Sequence, residues 1–453
     1  MKQSETSPSG AAVRPLRVSR VQSPLTGTTV VPGDKSISHR SLMLSALAKG
    51  TTHITGLLEG EDVLCTADAM RALGAVIHRH ADGSWTVEGR GLGQLQEPAD
   101  VLNMGNSGTS ARLLSGILAS HNMMSVMTGD ASLRRRPMKR VTIPLSETGA
   151  RFMSREGGRL PLAIQGSAEP KALEYRLPVA SAQVKSAILL SGLNAKGETR
   201  VEEPVPTRDH TENMLKHFGV QISVEETSAG GRIIRLQGGQ SLKAADVIVP
   251  GDPSSAAFIV VASLLVAGSE VVIENVGLNV LRTGLFDTLR EMGGQIEVLN
   301  QRIEAGEPTG DLRVKASALR AVDVPAERAS SMIDEYPVLS VAAAYAEGVS
   351  RFRGLGELRV KESDRFASTI ALLEVNGVRT SVEGDDLIVH GTKGAIPGGG
   401  CVGTHMDHRL AMSATVLGMV ADQPVEVDDT TFINTSFPGF FELLNRLGAG
   451  LAA

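Results

Sequence analysis

The sequence repeats itself, and this repetition limits the folds open to the chain more than any other feature. The segment PGDKSISHRSLMLSALAKGTTHITG, which begins at Pro32, resembles PGDPSSAAFIVVASLLVAGSEVVIEN, which begins at Pro250. Within each half, a small polar motif, an apolar run of helix length, a strand, a second helix and a glycine-containing ending recur. Repeats of one such unit bury their apolar faces against each other. We therefore predict six homologous repeats along the 453 residues.

The apolar runs predict helices that are buried on every side, because runs such as ARLLSGILA and AAFIVVASLLV have no polar face. TRVE at Thr199, RFR at Arg351 and VEVD at Val425 alternate apolar and polar residues, as strands with one solvated face do. The repeats start near Lys35, Asn106, Ser181, Asp252, Ser331 and His405, and they end near Gly74, Gly149, Gly219, Gly293, Gly377 and Gly448. Glycines at these ends suit helix C-caps. The predicted class is α/β, with helices inside and sheets outside.

The chain is long enough for two or three domains. If three repeats form each half, the chain crosses between the halves at the two PGD segments. We therefore predict a discontinuous domain, residues 1–32 with 252–453, and an inserted domain, residues 33–251. A cleft between them is the default ligand site. Residues 1–20 lack the apolar core of a secretory signal, and we expect mostly a polar, frayed leader there, with a short organelle transit peptide as the disfavoured alternative.

Composition excludes several classes of protein. Apolar residues make up 42% and charged residues 21%, which is typical of globular proteins, and a net charge of −5 gives no general attraction to nucleic acid or anionic lipid. The apolar run from Ala256 is shorter than the ~20 residues that a spanning helix needs, so no membrane crossing is expected. Cys65 and Cys401 cannot build a disulfide framework. A reducing compartment, the cytoplasm, fits best.

Several predicted helices begin with cations, where the helix macrodipole disfavours them. Lys35 and Arg40 precede LMLSALA, Lys185 opens AILLSGL, and Arg409 opens LAMSATVLGMV. Such side chains either reach solvent or pair with nearby acids, or they bind an anion together with the backbone amides of the helix start. Their recurrence in equivalent positions favours a phosphate or carboxylate site.

The densest basic segment, RRRPMKR at 134–140, is either a solvated face or a nucleic-acid patch. Only 3% of the residues are aromatic, and single-strand binders stack bases on aromatic side chains, so the second interpretation is disfavoured. We expect one or two of these arginines at a site. THMDHR offers His405, Asp407 and His408, but without another ligand cluster a histidine pair at a helix start is more often a capping or hydrogen-bonding element than a metal site. No nucleotide-binding glycine motif is correctly placed, so no cofactor is inferred.

Two acidic motifs have the composition of a proton-transfer site. MIDEYP contains Asp334 and Glu335, and VKESDR contains Lys361, Glu362, Asp364 and Arg365. Mixed charges this close together either form structural ion pairs or place a carboxylate where it accepts or donates a proton. Both interpretations remain open from the residues alone.

Eight motifs occur together in order: PGDKSISHR, NSGTSARL, GDASLRRRPM, SAQVKSA, TRDHTE, MIDEYP, VKESDR and THMDHRLA. This set, from about residue 20 to 450, resembles the 5-enolpyruvylshikimate-3-phosphate synthases, the target of glyphosate in aromatic amino acid biosynthesis. SAQVK and R-x-H-x-E resemble the second class of that family. The resemblance implies a two-domain inside-out α/β barrel whose helix N-termini point to the interdomain cleft. It also implies transfer of the enolpyruvyl group of phosphoenolpyruvate to the 5-hydroxyl of shikimate 3-phosphate, with no metal.

The resemblance assigns roles to individual residues. Shikimate 3-phosphate would be held by Lys35, Ser36, Arg40, Ser181, Ala182, Gln183, Arg208, Asp334 and Lys361. Phosphoenolpyruvate would be held by Lys35, Asn106, Gly108, Arg136, Gln183, Arg365 and Arg409. Asp334 would accept the proton of the attacking hydroxyl, Glu362 would exchange the proton at the methylene carbon, and Lys35 would assist proton transfer.

The chain departs from the family pattern at a few positions. Thr435 stands where some members carry lysine, and NVLR at 279–282 replaces N-x-T-R. Position 108 is glycine, whereas some glyphosate-insensitive members have alanine. The alternatives are the sister transferase acting on UDP-N-acetylglucosamine, which typically has a cysteine in the loop matching GDASLRRRPMKR, and a non-enzymatic anion- or RNA-binding repeat protein. No cysteine occurs in that loop. We expect a monomer with no nucleic-acid partner.

Overall fold

The computed structural model describes residues 13–452. Two compact units are present. The terminal unit comprises the described residues up to Pro32, Gly251–Arg302, and the described residues from Pro308 onward. The inserted unit comprises Gly33–Pro250 and the short segment Ile303–Glu307.

Helices alternate with small sheets along the chain. The helices in the described residues are α1 (Lys35–Leu47), α2 (Glu61–Ala72), α3 (Gly108–Ala119), α4 (Lys139–Glu147), α5 (Ala182–Gly192), α6 (His210–His217), α7 (Pro253–Leu265), α8 (Gly284–Glu291), α9 (Ala329–Met332), α10 (Tyr336–Tyr345), α11 (Arg365–Val375), α12 (His408–Gly418) and α13 (Phe440–Arg446). None of those helices is both long and apolar enough to cross a bilayer.

The strands are short. They are β1 (Leu16–Val18), β2 (Thr26–Val30), β3 (Lys49–Thr55), β4 (Val76–Arg79), β5 (Trp85–Arg90), β6 (Leu102–Asn103), β7 (Met124–Thr128), β8 (Arg151–Arg155), β9 (Arg159–Gln165), β10 (Glu174–Arg176), β11 (Glu198–Glu203), β12 (Ile222–Glu226), β13 (Arg232–Gln237), β14 (Val247–Ile248), β15 (Glu270–Gly277), β16 (Gln295–Glu304), β17 (Glu307–Lys315), β18 (Asp323–Val324), β19 (Val349–Phe352), β20 (Thr380–Glu383), β21 (Asp386–His390), β22 (Cys401–Val402) and β23 (Val425–Val427). The strands predicted at Thr199, Arg351 and Val425 are confirmed as β11, β19 and β23.

The inserted unit holds three four-stranded sheets, in the orders β14-β3-β5-β4, β6-β7-β9-β8 and β10-β11-β13-β12. In each sheet the first strand pairs in parallel with the second, and the other pairs are antiparallel. Helices α1, α3 and α5 supply apolar side chains to the core of this unit. This arrangement repeats three times, as the sequence predicts.

The terminal unit holds the sheets β16-β17-β15-β2, β18-β19-β21-β20 and β1-β23-β22. Its core contains α7, α10 and α12, and every residue of α7 is buried. The predicted α/β class, with apolar helices inside, is therefore confirmed. One start is displaced: the short helix α9 precedes α10, which begins at Tyr336 rather than near Ser331.

The ends of the six repeats are built alike. Gly74, Gly149, Gly219, Gly293, Gly377 and Gly448 all have φ between 79° and 106°. Each follows the last turn of a helix, where a left-handed residue lets the backbone leave the helix and glycine adopts that conformation without strain. The C-cap prediction is confirmed.

The expectation of a frayed leader is wrong for part of residues 1–20. Leu16–Val18 form β1, which pairs antiparallel with β23, and Leu16 and Val18 are buried. The apolar alternation of LRV was too short to stand out among polar neighbours. The rest of that prediction, residues 1–12, lies outside the described residues.

Candidate functional site

The start of α1 places the first group of predicted residues. Asp34 caps the helix by accepting a hydrogen bond from the Ile37 amide at 2.8 Å. Lys35, at the first helical position, forms an ion pair with Asp62 and keeps 21% of its side chain exposed. Lys35 therefore combines a fixed position with access to a ligand.

Arg40 lies one turn further along α1 and is almost enclosed. Its guanidinium donates to Ser36 O at 2.9 Å, to Thr211 Oγ1 at 2.7 Å and to Ser186 Oγ at 2.8 Å. Burial lowers the pKa of Arg40 to about 10, against the opposing effect of nearby carboxylates such as Glu212. With 4% exposure, Arg40 has little surface for a substrate in this arrangement.

A second group surrounds the start of α3. Ser107 caps this helix, accepting from the Ser110 amide at 3.1 Å. Asn106 donates to Asp130 Oδ2 at 2.6 Å and accepts from Arg136 Nη2 at 2.8 Å. The side chains of Asn106 and Arg136 are therefore brought together, and their joint binding of an anion stays a prediction.

Gly108 is the first residue of α3, and it has two arginines beside it. A Cβ at this position would lie 2.9 Å from Arg112 Nη1 and 3.0 Å from Arg136 Nη1. The absent side chain thus leaves room for both guanidiniums. Two guanidiniums beside a helix N-terminus are an arrangement that favours anions.

Arg112 is a residue of this group that the sequence analysis did not assign. Its Nη1 donates to Gln183 Oε1 at 2.8 Å, and Gln183 Nε2 in turn donates to Thr109 Oγ1 at 3.1 Å. Arg112 lies within the motif NSGTSARL, and an arginine inside an otherwise apolar run was the signal that could have identified it. The hydrogen bond between Arg112 and Gln183 links α3 to α5.

The start of α5 carries Ser181, Ala182 and Gln183, all partly exposed. Ser181 is the N-cap, and its side chain accepts from the Val184 amide at 3.4 Å. Arg208, in the loop before α6, is also partly exposed and lies close enough to Arg40 to act on it electrostatically.

The expectation that Lys185 binds an anion is wrong. Its side chain is 0% exposed, and Nζ lies 2.9 Å from Glu203 Oε2 and 2.7 Å from Glu212 Oε1. Glu203 is 18 residues away and at the far end of a strand, so no local pattern marks it as the partner of Lys185. The ion-pair alternative is the one that the structure supports.

The terminal unit gathers the acidic motifs around a buried arginine. Arg365 Nη1 lies 3.1 Å from Asp334 Oδ1, Nε lies 2.9 Å from Asp407 Oδ2, and Nη2 pairs with Glu362 Oε2. Lys361 Nζ is 3.2 Å from Asp334 Oδ1. MIDEYP, VKESDR and THMDHR therefore meet at one point.

Exposure separates the members of this group. Arg365 and Asp407 are fully buried, whereas Asp334 is 14% and Glu362 21% exposed. Burial opposes the charge on Arg365, but Asp407, Glu362 and Asp334 outweigh it and raise its pKa. An anionic ligand can reach this guanidinium only if one of the three carboxylates moves away. The expected contact of Arg365 with phosphoenolpyruvate stays a prediction.

Asp407 has a role that the sequence analysis gave only in outline. Asp407, rather than the histidine pair, caps α12 by accepting a hydrogen bond from the Arg409 amide at 2.9 Å. Burial acts to raise the pKa of Asp407, but Arg365 prevails and lowers it. Among the described residues, no group of three or more His, Cys, Asp or Glu is arranged to hold a metal ion.

Arg409 approaches the same group from the first turn of α12. Its Nη1 donates to Asp334 O at 3.1 Å and lies 3.7 Å from Glu335 Oε1. The side chain is 13% exposed. Arg409 is therefore fixed beside Asp334 while keeping a surface for an anion.

The basic run at 134–140 divides by exposure. Arg136 is 7% exposed and hydrogen-bonds to Asn106, whereas Arg134, Arg135 and Lys139 are exposed.

Thr435, which replaces a family lysine, is buried and donates to Phe432 O at 2.7 Å. It offers no cation at that position.

Taken separately, each unit presents a different chemistry. The inserted unit brings cations and helix N-termini together, which suits binding of phosphate and carboxylate groups. The terminal unit places two partly exposed carboxylates among cations, which suits proton transfer next to a bound anion.

Comparison with known proteins agrees with these features. A family model described as EPSP synthase (3-phosphoshikimate 1-carboxyvinyltransferase) matches residues 19–444. A relative from Gluconobacter oxydans named 3-phosphoshikimate 1-carboxyvinyltransferase is 69% identical over 438 residues, 97% of this chain and 99% of the relative. One of the same name from Granulibacter bethesdensis is 67% identical, covering 92% of each chain.

A solved structure of EPSP synthase from Acinetobacter baumannii superposes with a TM-score of 0.86 at 44% identity, covering 97% of this chain and 99% of that one. The match of the family model, the identity of the relatives and the agreement of the folds all confirm the resemblance carried by the eight motifs. The chain therefore belongs to the EPSP synthase family.

Proposed function

We propose that this chain transfers the enolpyruvyl group of phosphoenolpyruvate to the 5-hydroxyl of shikimate 3-phosphate and releases phosphate. Identity of 58–69% to relatives named for this activity, over nearly their whole length, supports the proposal. The observation in the structure that carries it is Asp334, a partly exposed carboxylate held between Lys361 and Arg365. Neighbouring cations favour the ionised form of a carboxylate, which is the form that accepts a proton.

The reaction is an addition followed by an elimination. In the first step the hydroxyl proton passes to Asp334, the oxygen attacks the central carbon of phosphoenolpyruvate, and the methylene carbon gains a proton. In the second step that carbon loses a proton, the double bond re-forms, and the carbon–oxygen bond to phosphate breaks. Glu362, 21% exposed beside Arg365, is the proposed group that exchanges the proton at the methylene carbon.

The proposed binding roles are those that the family resemblance assigns, and both sets provide cations for the anionic groups of the substrates. Lys35, Ser36, Arg40, Ser181, Ala182, Gln183, Arg208, Asp334 and Lys361 hold shikimate 3-phosphate, and Lys35, Asn106, Gly108, Arg136, Gln183, Arg365 and Arg409 hold phosphoenolpyruvate. The paired side chains of Asn106 and Arg136 support the second set. Lys35 also assists proton transfer. Fixed cations stabilise the charge that develops in the transition state.

The remaining proposals concern organisation and location. We propose that residues 1–32 with 252–453 and residues 33–251 are the two functional domains, each of three repeats. The division into a terminal and an inserted unit supports this proposal. We also propose a monomer that works in the cytoplasm without nucleic acid. The net charge of −5 and the 3% aromatic content support the absence of nucleic acid, and the presence of only two cysteines supports a reducing compartment.

Phosphate release tests the function. The protein is incubated with phosphoenolpyruvate and either shikimate 3-phosphate or UDP-N-acetylglucosamine. We expect release only with shikimate 3-phosphate. Release with the sugar nucleotide would assign the sister activity instead, and a protein inert with both acceptors would overturn the enzyme assignment.

A further inference from the structure

Lys185 and Glu212 come from two different motifs, SAQVK and R-x-H-x-E, and the structure joins them in one buried ion pair. Lys185 Nζ also contacts Glu203, which belongs to neither motif. We propose that Lys185 is a positioning residue for shikimate 3-phosphate: together with Glu203 and Glu212 it sets the loop that carries Arg208. This inference rests on the proposed function, in which Arg208 holds that substrate.

The contacts of the ammonium group define the loop geometry. Glu203 is the last residue of β11, Glu212 lies in the first turn of α6, and the intervening loop contains Thr207 and Arg208. Lys185 Nζ reaches Thr207 O at 3.3 Å in addition to the two carboxylates. A lysine has three donors, and these three acceptors lie at the start, the middle and the end of the loop. Lys185 thus ties the whole segment to α5, which begins with Ser181, Ala182 and Gln183.

Lys185 does not serve as a ligand itself. Its side chain is 0% exposed, and both glutamates are almost equally buried. Thr207 Oγ1 also donates to Glu203 Oε1, so one oxygen of this carboxylate contacts the loop and the other contacts Lys185. With no exposed side-chain surface, Lys185 cannot contact a substrate directly, and its effect on binding must pass through the loop.

Glu203 and Glu212 share the single cation of Lys185, and these three side chains form a buried triad. Burial raises the pKa of Glu203, and the charge of Lys185 acts to lower it. Without Lys185, the pKa of Glu203 would rise further. Two carboxylates buried without a counter-charge repel each other and favour protonation or separation. Loss of the ammonium would therefore both untie the loop and drive its two ends apart.

Arg40 has an anchorage of its own, which makes the effect of Lys185 separable. Arg40 donates to Thr211 Oγ1 at 2.7 Å and to Ser186 Oγ at 2.8 Å. Those two hydroxyls lie 2.7 Å apart. The ammonium of Lys185 donates to neither hydroxyl, so its removal breaks none of the hydrogen bonds that hold Arg40, the other arginine proposed to bind this substrate.

The experiment measures the affinity for shikimate 3-phosphate in the full-length protein. Lys185→Met keeps the length of the side chain and removes its charge. We expect the Kd for shikimate 3-phosphate, from calorimetry, to rise about tenfold, as for loss of a coupled contact. The KM for phosphoenolpyruvate should change less than twofold, and kcat should fall less than the affinity.

The controls use an exposed pair of the same chemistry. Lys196 and Glu169 form an ion pair at 3.5 Å with side chains more than 80% exposed. Lys196→Met and Glu169→Gln should leave the affinity unchanged.

A second variant, Glu212→Gln, keeps the volume of the triad and removes one charge, and we expect a Kd about threefold higher. It decides the question if Lys185→Met does not fold.

A double variant separates positioning from a general structural role. If Lys185 acts through Arg208, Lys185→Met added to Arg208→Ala should weaken binding by less than twofold beyond Arg208→Ala alone. Fully additive losses, or an unchanged Kd in folded Lys185→Met and Glu212→Gln, would overturn the inference. A parent protein that releases no phosphate with shikimate 3-phosphate would overturn the proposed function instead, so the two failures are distinguishable.

Discussion

Both units bury a cation among an excess of carboxylates, and the two clusters differ in access. In the inserted unit, Lys185 has two glutamates, and all three side chains are at most 2% exposed. In the terminal unit, Arg365 has three acids, of which Asp334 and Glu362 are partly exposed. A sealed cluster can only hold other parts in place, whereas an open one presents a carboxylate to a substrate. Access rather than charge separates the positioning cluster from the one suited to chemistry.

The largest expected effect tests the open cluster. Asp334→Asn removes the proton acceptor and keeps its shape, so kcat should fall about 10²–10⁴-fold, as for loss of a general base. The Kd for shikimate 3-phosphate should change little. Steady-state phosphate release and calorimetry measure the two quantities. An equal loss of both would make Asp334 a structural residue like those of the sealed cluster.

The next effect compares stability. Arg365→Met leaves Asp334, Glu362 and Asp407 without their shared cation, and Asp407 is fully buried. We expect a loss of about 3–5 kcal/mol in the free energy of unfolding, the usual result of breaking a buried pair. Urea unfolding of this variant beside Lys185→Met gives the comparison. A stability equal to that of the parent would show that the acids do not need the arginine.

A smaller effect concerns the arginines beside Gly108. Gly108→Ala places a methyl 2.9 Å from Arg112 Nη1 and 3.0 Å from Arg136 Nη1, so the two flexible guanidiniums must shift. We expect a cost of about 1 kcal/mol, which raises the KM for phosphoenolpyruvate about fivefold. The KM for shikimate 3-phosphate should hardly change. An unchanged KM for phosphoenolpyruvate would place its binding elsewhere.

The smallest effect lies in the pH dependence of stability, which should have opposite signs in the two clusters. The pKa of Asp407 is lowered in the folded protein from an ordinary value of 3.8, so its contribution is present above that pH and is lost as the pH falls through the folded value. The pKa of Glu203 is raised from 4.5, so stability falls as the pH rises from there to the folded value.

Urea unfolding of Asp407→Asn and Glu203→Gln between pH 2 and 7 checks these signs. The parent should lose stability through Asp407 as the pH falls, and Asp407→Asn should not show that loss. The parent should lose stability through Glu203 as the pH rises toward neutrality, and Glu203→Gln should not show that loss. The same slope in both variants and the parent would contradict the comparison.

The architecture was largely predictable from the sequence. The apolar run from Ala256 became α7, in which every residue is buried, and Gly149 and Gly377 became helix ends in the left-handed region. Such features depend on local periodicity and on the backbone preferences of single residues. The site was less predictable, because Lys35 and Lys185 both lie near the start of an apolar helix and yet have different environments.

Partners that are distant along the chain account for that difference. Arg112 contacts Gln183, 71 residues away, and Arg365 contacts Asp407, 42 residues away. No local pattern marks such pairs. Residues 16–18 show the same limit of prediction from the sequence. They form β1 only because β23, more than 400 residues later, supplies its hydrogen bonds.

By itself, the sequence determined the six repeats, the buried helices, the glycine ends and the family, because each depends on residue types at short spacing. Only the tertiary structure decided which cations are sealed and which are open. Exposure and charge partners depend on elements that meet across the fold, and an ammonium becomes an anchor or a ligand according to those neighbours.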